Sequence, residues 1–427
     1  MSAQKPREIA VQVLRRQGAH EFLEDRLDFE LSRRSLSPAD RGLCHELAFG
    51  LVRWQRALDW LIDRKTGGRG QNLTVQVLLR LGLYQIFWLD RIPDHAAVHE
   101  TVELCKSLGF SPKAGFVNAV LRGYLRERDQ TIQELQLLKQ TQPAVGWSHP
   151  DWLVERWQKR WSAENTSALL QWNNTVPLTY ARVNTLKTSA ADLTRQWTDE
   201  GVSFVPRSFP WTPENVVFEL ASHPPLATLP SLQQGHFYIQ DPSTLFSVHE
   251  LDPQPGESIL DLCAAPGGKT TYIAQLMNNR GRILALDPQP GRLKTLEENC
   301  ARLGATSVHS SLLSLSPDSG AFDRILIDAP CSNTGVLRRR IEARWRINAP
   351  EIQRLRETQL SLLKTAAAKI KRGGIIIYST CSLEPEENET LIADFLRDQP
   401  AFRLQSQRQL LPFADAVDGA YVARLQS

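Results

Sequence analysis

Nowhere in the 427 residues is there a run of the ~18 or more consecutive apolar residues that a membrane-spanning helix needs. An integral helical membrane protein is thereby excluded. The opening MSAQKPREIAVQVLRRQ lacks the unbroken apolar core and small-residue cleavage site of a secretory signal, and reads as amphipathic. Cysteine is scarce, six in all and without paired spacing, so no disulfide framework is expected. Together with nine histidines these cysteines form no ligand-spaced cluster, so no metal site is expected. A cytoplasmic setting that leaves thiols free for chemistry is the expectation. There is no internal repeat and no low-complexity tract, and the net charge is only +3.

That small net charge is unevenly spread. Between Thr334 and Arg372 stand eleven Arg or Lys against three Glu, a local surplus of eight positive charges. Such a cluster is either a phosphate footprint or a set of solvated helix faces. A chain of this length exceeds one ordinary core. Its 42% hydrophobic and 23% charged residues are those of a soluble globular protein.

Three regions follow from the patterning. Residues 1–140 carry helical periodicity throughout, as in LCHELAFGLVRWQRALDWLI and VQVLLRLGLYQIFWL, with breaks at Ser37-Pro38, Gly67-Gly68, Ile92-Pro93 and Ser111-Pro112. This predicts an all-α bundle. Residues 141–238 are punctuated by proline and hold seven of the eleven tryptophans, a density that favours core packing over base stacking. They predict a small mixed α/β module, with LTYARVNTLKT as a strand that leaves Arg182 and Lys187 available for phosphates. From 239 to 427, strands at 258–262, 282–287, 322–328 and 373–380 alternate with helical patterns, and GAYVARLQS supplies a further strand. Such alternation predicts a mainly parallel, Rossmann-like α/β sheet with its ligand site at the carboxyl ends of the strands.

The chemistry-bearing residues fall at those ends. After the first strand comes DLCAAPGGKT, where Cys263, Ala264, Ala265, Pro266, Gly267, Gly268 and Lys269 form a small-residue loop that lets backbone approach a ligand closely. A phosphate-binding P-loop is excluded, because its first glycine would stand where Cys263 does. Asp287 ends the next strand, about twenty residues on, where an acid accepts ribose hydroxyls of an adenosine-containing cofactor. Two cysteines then sit just beyond two further strands: Cys331 in DAPCSNTG, which begins at Asp328, and Cys381 in YSTCSLEPEEN. Cys44, Cys105 and Cys300 read as small core residues. Residue logic alone leaves open which of the pair, Cys331 or Cys381, attacks a substrate.

DLCAAPGGKT, Asp287, DAPCS, STCS and FYIQDPST (237–244) together resemble the RNA 5-methylcytosine methyltransferase family of the Nop2/Sun type. The stretch AAVHETVELCKSLGFSPKAGFVNAVLR (96–122) resembles the NusB-like RNA-binding domain. The resemblance covers nearly the whole chain and is weakest over 141–236. It implies an S-adenosylmethionine-dependent methyltransferase acting on carbon 5 of a cytosine in rRNA, with the small subunit's 16S rRNA as target. It further implies Cys381 as the covalent nucleophile, Cys331 as an aid to release, and Asp328 as a partner of cytosine N3 or its amino group. The cofactor contacts would come from residues 263–269, Asp287 and Asp328. An ordinary cysteine, with a pKa of ~8.5, is only a few per cent thiolate at neutral pH, so activation by the site is implied. The base must leave its stack, so a single-stranded or flipped nucleotide is expected, held by phosphate contacts from the bundle, the middle module and Arg338–Arg346. The chain departs from the family where an adenine-binding acid is usual, since spacing puts Ser311 there, and where an His-Pro-acid run becomes Arg340-Ile341-Glu342. A monomer is expected. Two rival readings remain: a related enzyme acting on tRNA or another rRNA site, and a non-catalytic RNA-binding assembly factor.

Overall fold

A computed structural model describes residues 5–16, 22–312 and 321–427. Its chain divides into two compact units, one running to Thr175 and including Arg340–Arg346, the other holding Val176–Arg339 and Ile347–Ser427.

The first unit is helical. Its elements begin and end where the sequence places turn formers. Ser37 accepts from the Asp40 N–H at 3.1 Å to cap the helix Pro38–Arg53, and Asn72 caps Leu73–Trp88 through the Thr74 N–H at 2.9 Å. Gly67, at φ 63°, closes Gln55–Thr66 in the left-handed region. The helix Leu73–Trp88 is apolar almost all round and is the buried axis of this unit. Three later helices, Pro143–Gly146, Asp151–Arg160 and Ala163–Trp172, lie in the same unit, although the sequence grouped them with the middle module.

Residues 340–346 are internal to this unit. Arg344 is fully buried and donates to Ser148 O, Asn173 O and Asn174 Oδ1 at 3.1, 2.9 and 2.8 Å. Trp345 Nε1 donates to Val52 O at 2.8 Å, and Glu342 pairs with Arg26 at 3.0 Å. The expectation that Arg338–Arg346 as a whole meets RNA phosphates is therefore corrected: its most buried arginines saturate orphan carbonyls and carboxylates of the protein.

In the second unit, β1 (Thr179–Val183), β2 (Ser203–Arg207), β3 (Val217–Ser222) and β4 (Phe237–Ile239) form an antiparallel sheet of order β2-β3-β1-β4. Trp197, on the helix Ala190–Asp199, is fully buried against Phe204, Phe218 and Phe237, as expected for core tryptophan.

The larger sheet holds β5 (Ser258–Leu262), β6 (Arg282–Asp287), β7 (Val308–Leu312), β8 (Phe322–Asp328), β9 (Ile370–Thr380), β10 (Arg403–Leu410) and β11 (Ala420–Gln426). Their order is β10-β11-β9-β8-β5-β6-β7, with β5 to β9 parallel and β10 and β11 antiparallel. Apolar runs such as IIIY in β9 (IKRGGIIIYST) suit strands covered on both faces by helices, among them Gly268–Leu276 and Ala349–Ala367. This is the Rossmann-like arrangement expected from the alternating pattern. Among the described residues, no helix is long and apolar enough to cross a membrane.

Candidate active site

Parallel register brings the predicted residues to one edge. Asp328 and Ser379 are paired across β8 and β9, so the chain leaves both strands at the same level, three residues before Cys331 and two before Cys381. The thiols meet, with their sulfurs 3.2 Å apart. Cys381 is partly exposed and lines a cleft, while Cys331 is buried. The hydrogen bond to Cys381 and burial together raise the Cys331 thiol well above its ordinary range, which keeps it protonated at neutral pH. Cys381 Sγ lies 3.1 Å from Asn333 Oδ1.

The same cleft is lined by Ala264, Ala265, Pro266, Gly268 and Lys269 from the loop after β5, and by Asp328. Lys269 forms an ion pair with Asp328, so the amine reaches across to the end of β8. Cys263, at φ 64°, and Gly267, at φ 101°, bend the loop, and they are not in the cleft lining. At Gly268 a Cβ would lie 3.0 Å from the Tyr238 ring, so a side chain there would require that ring to give way by a few tenths of an ångström.

Asp287 is fully buried at the end of β6. It accepts from the Ala265 and Gln289 N–H groups at 3.3 and 3.1 Å, with Arg292 3.2 Å away. Its carboxylate thus shapes the loop after β5 and does not itself line the cleft. Ser311 lies on β7, paired with Leu286 of β6.

The sequence reading misassigned Arg182 and missed the roles of three buried acids, Asp261, Asp241 and Asp418. Arg182, expected to be free for phosphates, is 1% exposed and donates to Gly268 O and Gln240 Oε1, each at 2.6 Å, and to Thr271 Oγ1 at 3.1 Å. That expectation is corrected: β1 carries the guanidinium inward to clamp the loop after β5. Lys187 is exposed, with Nζ 3.0 Å from Gln234 O. Asp261, next to the carboxyl end of β5, is fully buried; its Oδ2 accepts from Thr270, and its Oδ1 has no hydrogen-bond partner among the described residues. Burial, with Asp328 and Asp287 nearby, pushes this carboxyl up to about 7 against the opposing Thr270 bond. The signal was an acid inside an apolar strand. Finally, buried Asp241 and Asp418 hold a fork: Arg339 donates to Asp418 at 2.6 Å and to Asp241 at 2.9 Å, and buried Arg338 donates to both. Asp241, Arg339 and Asp418 line the cleft beside Cys381. Only tertiary structure unites residues 241, 338, 339 and 418.

Comparison with known proteins places these features together. Residues 248–426 match the family described as 16S rRNA methyltransferase RsmB/F, residues 4–126 match the NusB family, and residues 149–221 match the ferredoxin-like domain of RsmF/B-like methyltransferases. A Synechocystis protein named probable ribosomal RNA small subunit methyltransferase B is 37% identical over 388 residues, 88% of this chain and 85% of its own length. A Bacillus subtilis protein of the same name is 35% identical, covering 87% of this chain and 83% of that one. Among solved structures, a methyltransferase homolog protein from Pyrococcus horikoshii is 32% identical with a TM-score of 0.54, covering 62% of this chain and 92% of that one.

Proposed function

Because this chain belongs to the 16S rRNA methyltransferase RsmB/F family, we propose that it methylates carbon 5 of a cytosine in small-subunit rRNA, with Cys381 as covalent nucleophile and S-adenosylmethionine as donor. The observation that carries this reading is the placement of Cys381 on the cleft wall with Asp328 and Lys269, and of the buried Cys331 sulfur 3.2 Å from it.

The residues present fit the donor. The loop 263–269 presents backbone and small side chains, and the unpartnered, buried Asp261 Oδ1 supplies an acceptor suited to a cationic group. Asp287, at the end of β6, would hold ribose hydroxyls, and Ala264, Ala265, Pro266, Gly268 and Lys269 would line the remainder. When bound, S-adenosylmethionine supplies an electrophilic methyl group.

The protein's own work begins with the base. Asp328 accepts hydrogen bonds from the cytosine amino group or protonated N3, and Lys269 keeps that carboxylate in place. Cys381 adds as thiolate to carbon 6, which turns a poor carbon nucleophile into an enamine rich at carbon 5. After methyl transfer a base removes the carbon 5 proton and the bond to Cys381 breaks, with protonated Cys331 beside the departing sulfur to assist release. Small-subunit rRNA is favoured as target by the names that the relatives carry.

The test is direct. Purified protein is incubated with S-adenosylmethionine and, separately, isolated small-subunit rRNA, large-subunit rRNA and tRNA, and 5-methylcytosine is mapped. Label confined to a cytosine of small-subunit rRNA is expected. Label only in tRNA, or on any atom other than carbon 5, would sink the proposal.

A further inference from the structure

Both cysteines are followed by serine, and both serines point to one buried carboxylate. Glu387 is fully buried at the end of the short turn Pro385–Glu387. Its Oε1 accepts from the Ser332 N–H and from Gln359 Nε2, each at 2.9 Å. Its Oε2 accepts from the Ser382 hydroxyl at 2.5 Å and from the Ser332 hydroxyl, and the two hydroxyl oxygens lie 2.9 Å apart. Ser332 belongs to the loop after β8 and Ser382 to the loop after β9. A single carboxylate therefore joins the two cysteine-bearing loops one residue away from each thiol.

Such a group is costly to bury. Burial raises its pKa, and the donors converging on it oppose that rise. A pair of loops that needed only to be near each other could be joined by apolar packing without this cost. What the carboxylate adds is direction, since charge-assisted bonds are short and fix the angle of each partner. The neighbouring residues reinforce the frame: Asn388 accepts from Thr380 Oγ1 at 2.7 Å and donates to Ser382 O at 2.9 Å, and Tyr378 donates to Glu387 O at 2.7 Å.

We propose that Glu387 is a positioning residue that sets the separation and orientation of the Cys331 and Cys381 thiols through Ser332 and Ser382. This rests on the proposed roles of the two cysteines, but the thiol geometry can be read without catalysis. Diamide oxidises two adjacent thiols to a disulfide: both sulfur–hydrogen bonds break, one sulfur–sulfur bond forms, and the diazene takes up both hydrogens as a hydrazine. The rate of Cys331–Cys381 cross-linking by diamide, followed by mass spectrometry of the full-length protein, reports their juxtaposition.

Glu387→Gln keeps size and one acceptor oxygen but removes the charge. A displacement of about 1 Å costs on the order of 100-fold in a positioned reaction. Cross-linking and kcat in this variant should each fall about 10-fold or more, with S-adenosylmethionine affinity within about twofold of the parent. The double variant Ser332→Ala/Ser382→Ala, which leaves the carboxylate in place, should show the same joint loss and guards against a folding defect in the first. Cross-linking at the parental rate in both variants would overturn the proposal, whatever happens to kcat. If no RNA is methylated by the parent but cross-linking still depends on Glu387, the functional reading fails and the positioning role stands.

Discussion

Two thiols in contact do different work when one is kept protonated, and here the hydrogen bond to Cys381 and burial raise the Cys331 thiol. Cys381→Ala is expected to abolish both methyl transfer and any covalent protein–RNA adduct. Cys331→Ala should allow attack and transfer but stall release, so that a covalent complex with methylated RNA accumulates and survives denaturing electrophoresis. Adduct in Cys381→Ala and none in Cys331→Ala would exchange the two roles. Asp261 offers a second residue-level prediction. Its folded-state pKa of about 7 exceeds the ~3.9 of an exposed Asp, so the folded protein binds the extra proton and stability falls as pH rises from ~4 to ~7. Asp261→Asn keeps an acceptor for Thr270 and removes the ionisation. Its Tm should exceed the parent's by a few degrees, roughly, at pH 8 and match it near pH 4. Calorimetry should show weaker S-adenosylmethionine binding in the same variant. Equal melting of variant and parent at both pH values would show that Asp261 does not titrate in this window.

At the scale of elements, strand register decides which loops meet. An apolar strand ending in an acid is legible in RILALD and FDRILID, and the predicted strands 258–262, 282–287 and 322–328 coincide with β5, β6 and β8. The pairing of Asp328 with Ser379 is not legible, because it depends on hydrogen bonds between strands some fifty residues apart in sequence. Arg182 shows the same limit. A strand exposes alternate residues to opposite faces, and only the sheet's surroundings determine which face is solvent. Arg182→Ala should therefore raise the Kd for S-adenosylmethionine about tenfold, the equivalent of one lost charged hydrogen bond, by freeing Gly268 O. RNA affinity, measured by filter binding in the absence of cofactor, should stay within about twofold, whereas a phosphate-binding arginine would lose there first.

Across the whole molecule, charge in the sequence proved a poor guide to charge on the surface. Arg344 counts toward the positive cluster at 334–372, yet it is fully buried among carbonyls of the helical unit. Arg344→Met should lower the stability of the full chain by about 2–4 kcal/mol, seen as an earlier urea midpoint, because several buried acceptors lose their donor together. A parental urea midpoint with weakened RNA binding would instead return Arg344 to the phosphate contacts. By contrast Arg340 is exposed, with Glu24 at 3.4 Å and the Phe22 ring centroid at 5.5 Å.

The sequence by itself determined what local chemistry encodes: helices from periodicity and caps, parallel strands from unbroken apolar runs, and two cysteines at strand ends marked by their short motifs. Those features depend on neighbours within a few residues, so they survive reading along one line. Tertiary structure alone decided that Cys331 and Cys381 lie 3.2 Å apart and that Asp241 and Asp418 share two arginines. It also decided that Glu387 serves both serines and that Arg182 and Arg344 face inward. Each of these is a contact between segments distant in the chain, where burial converts a side chain that water would solvate into one that must find its partner in the protein.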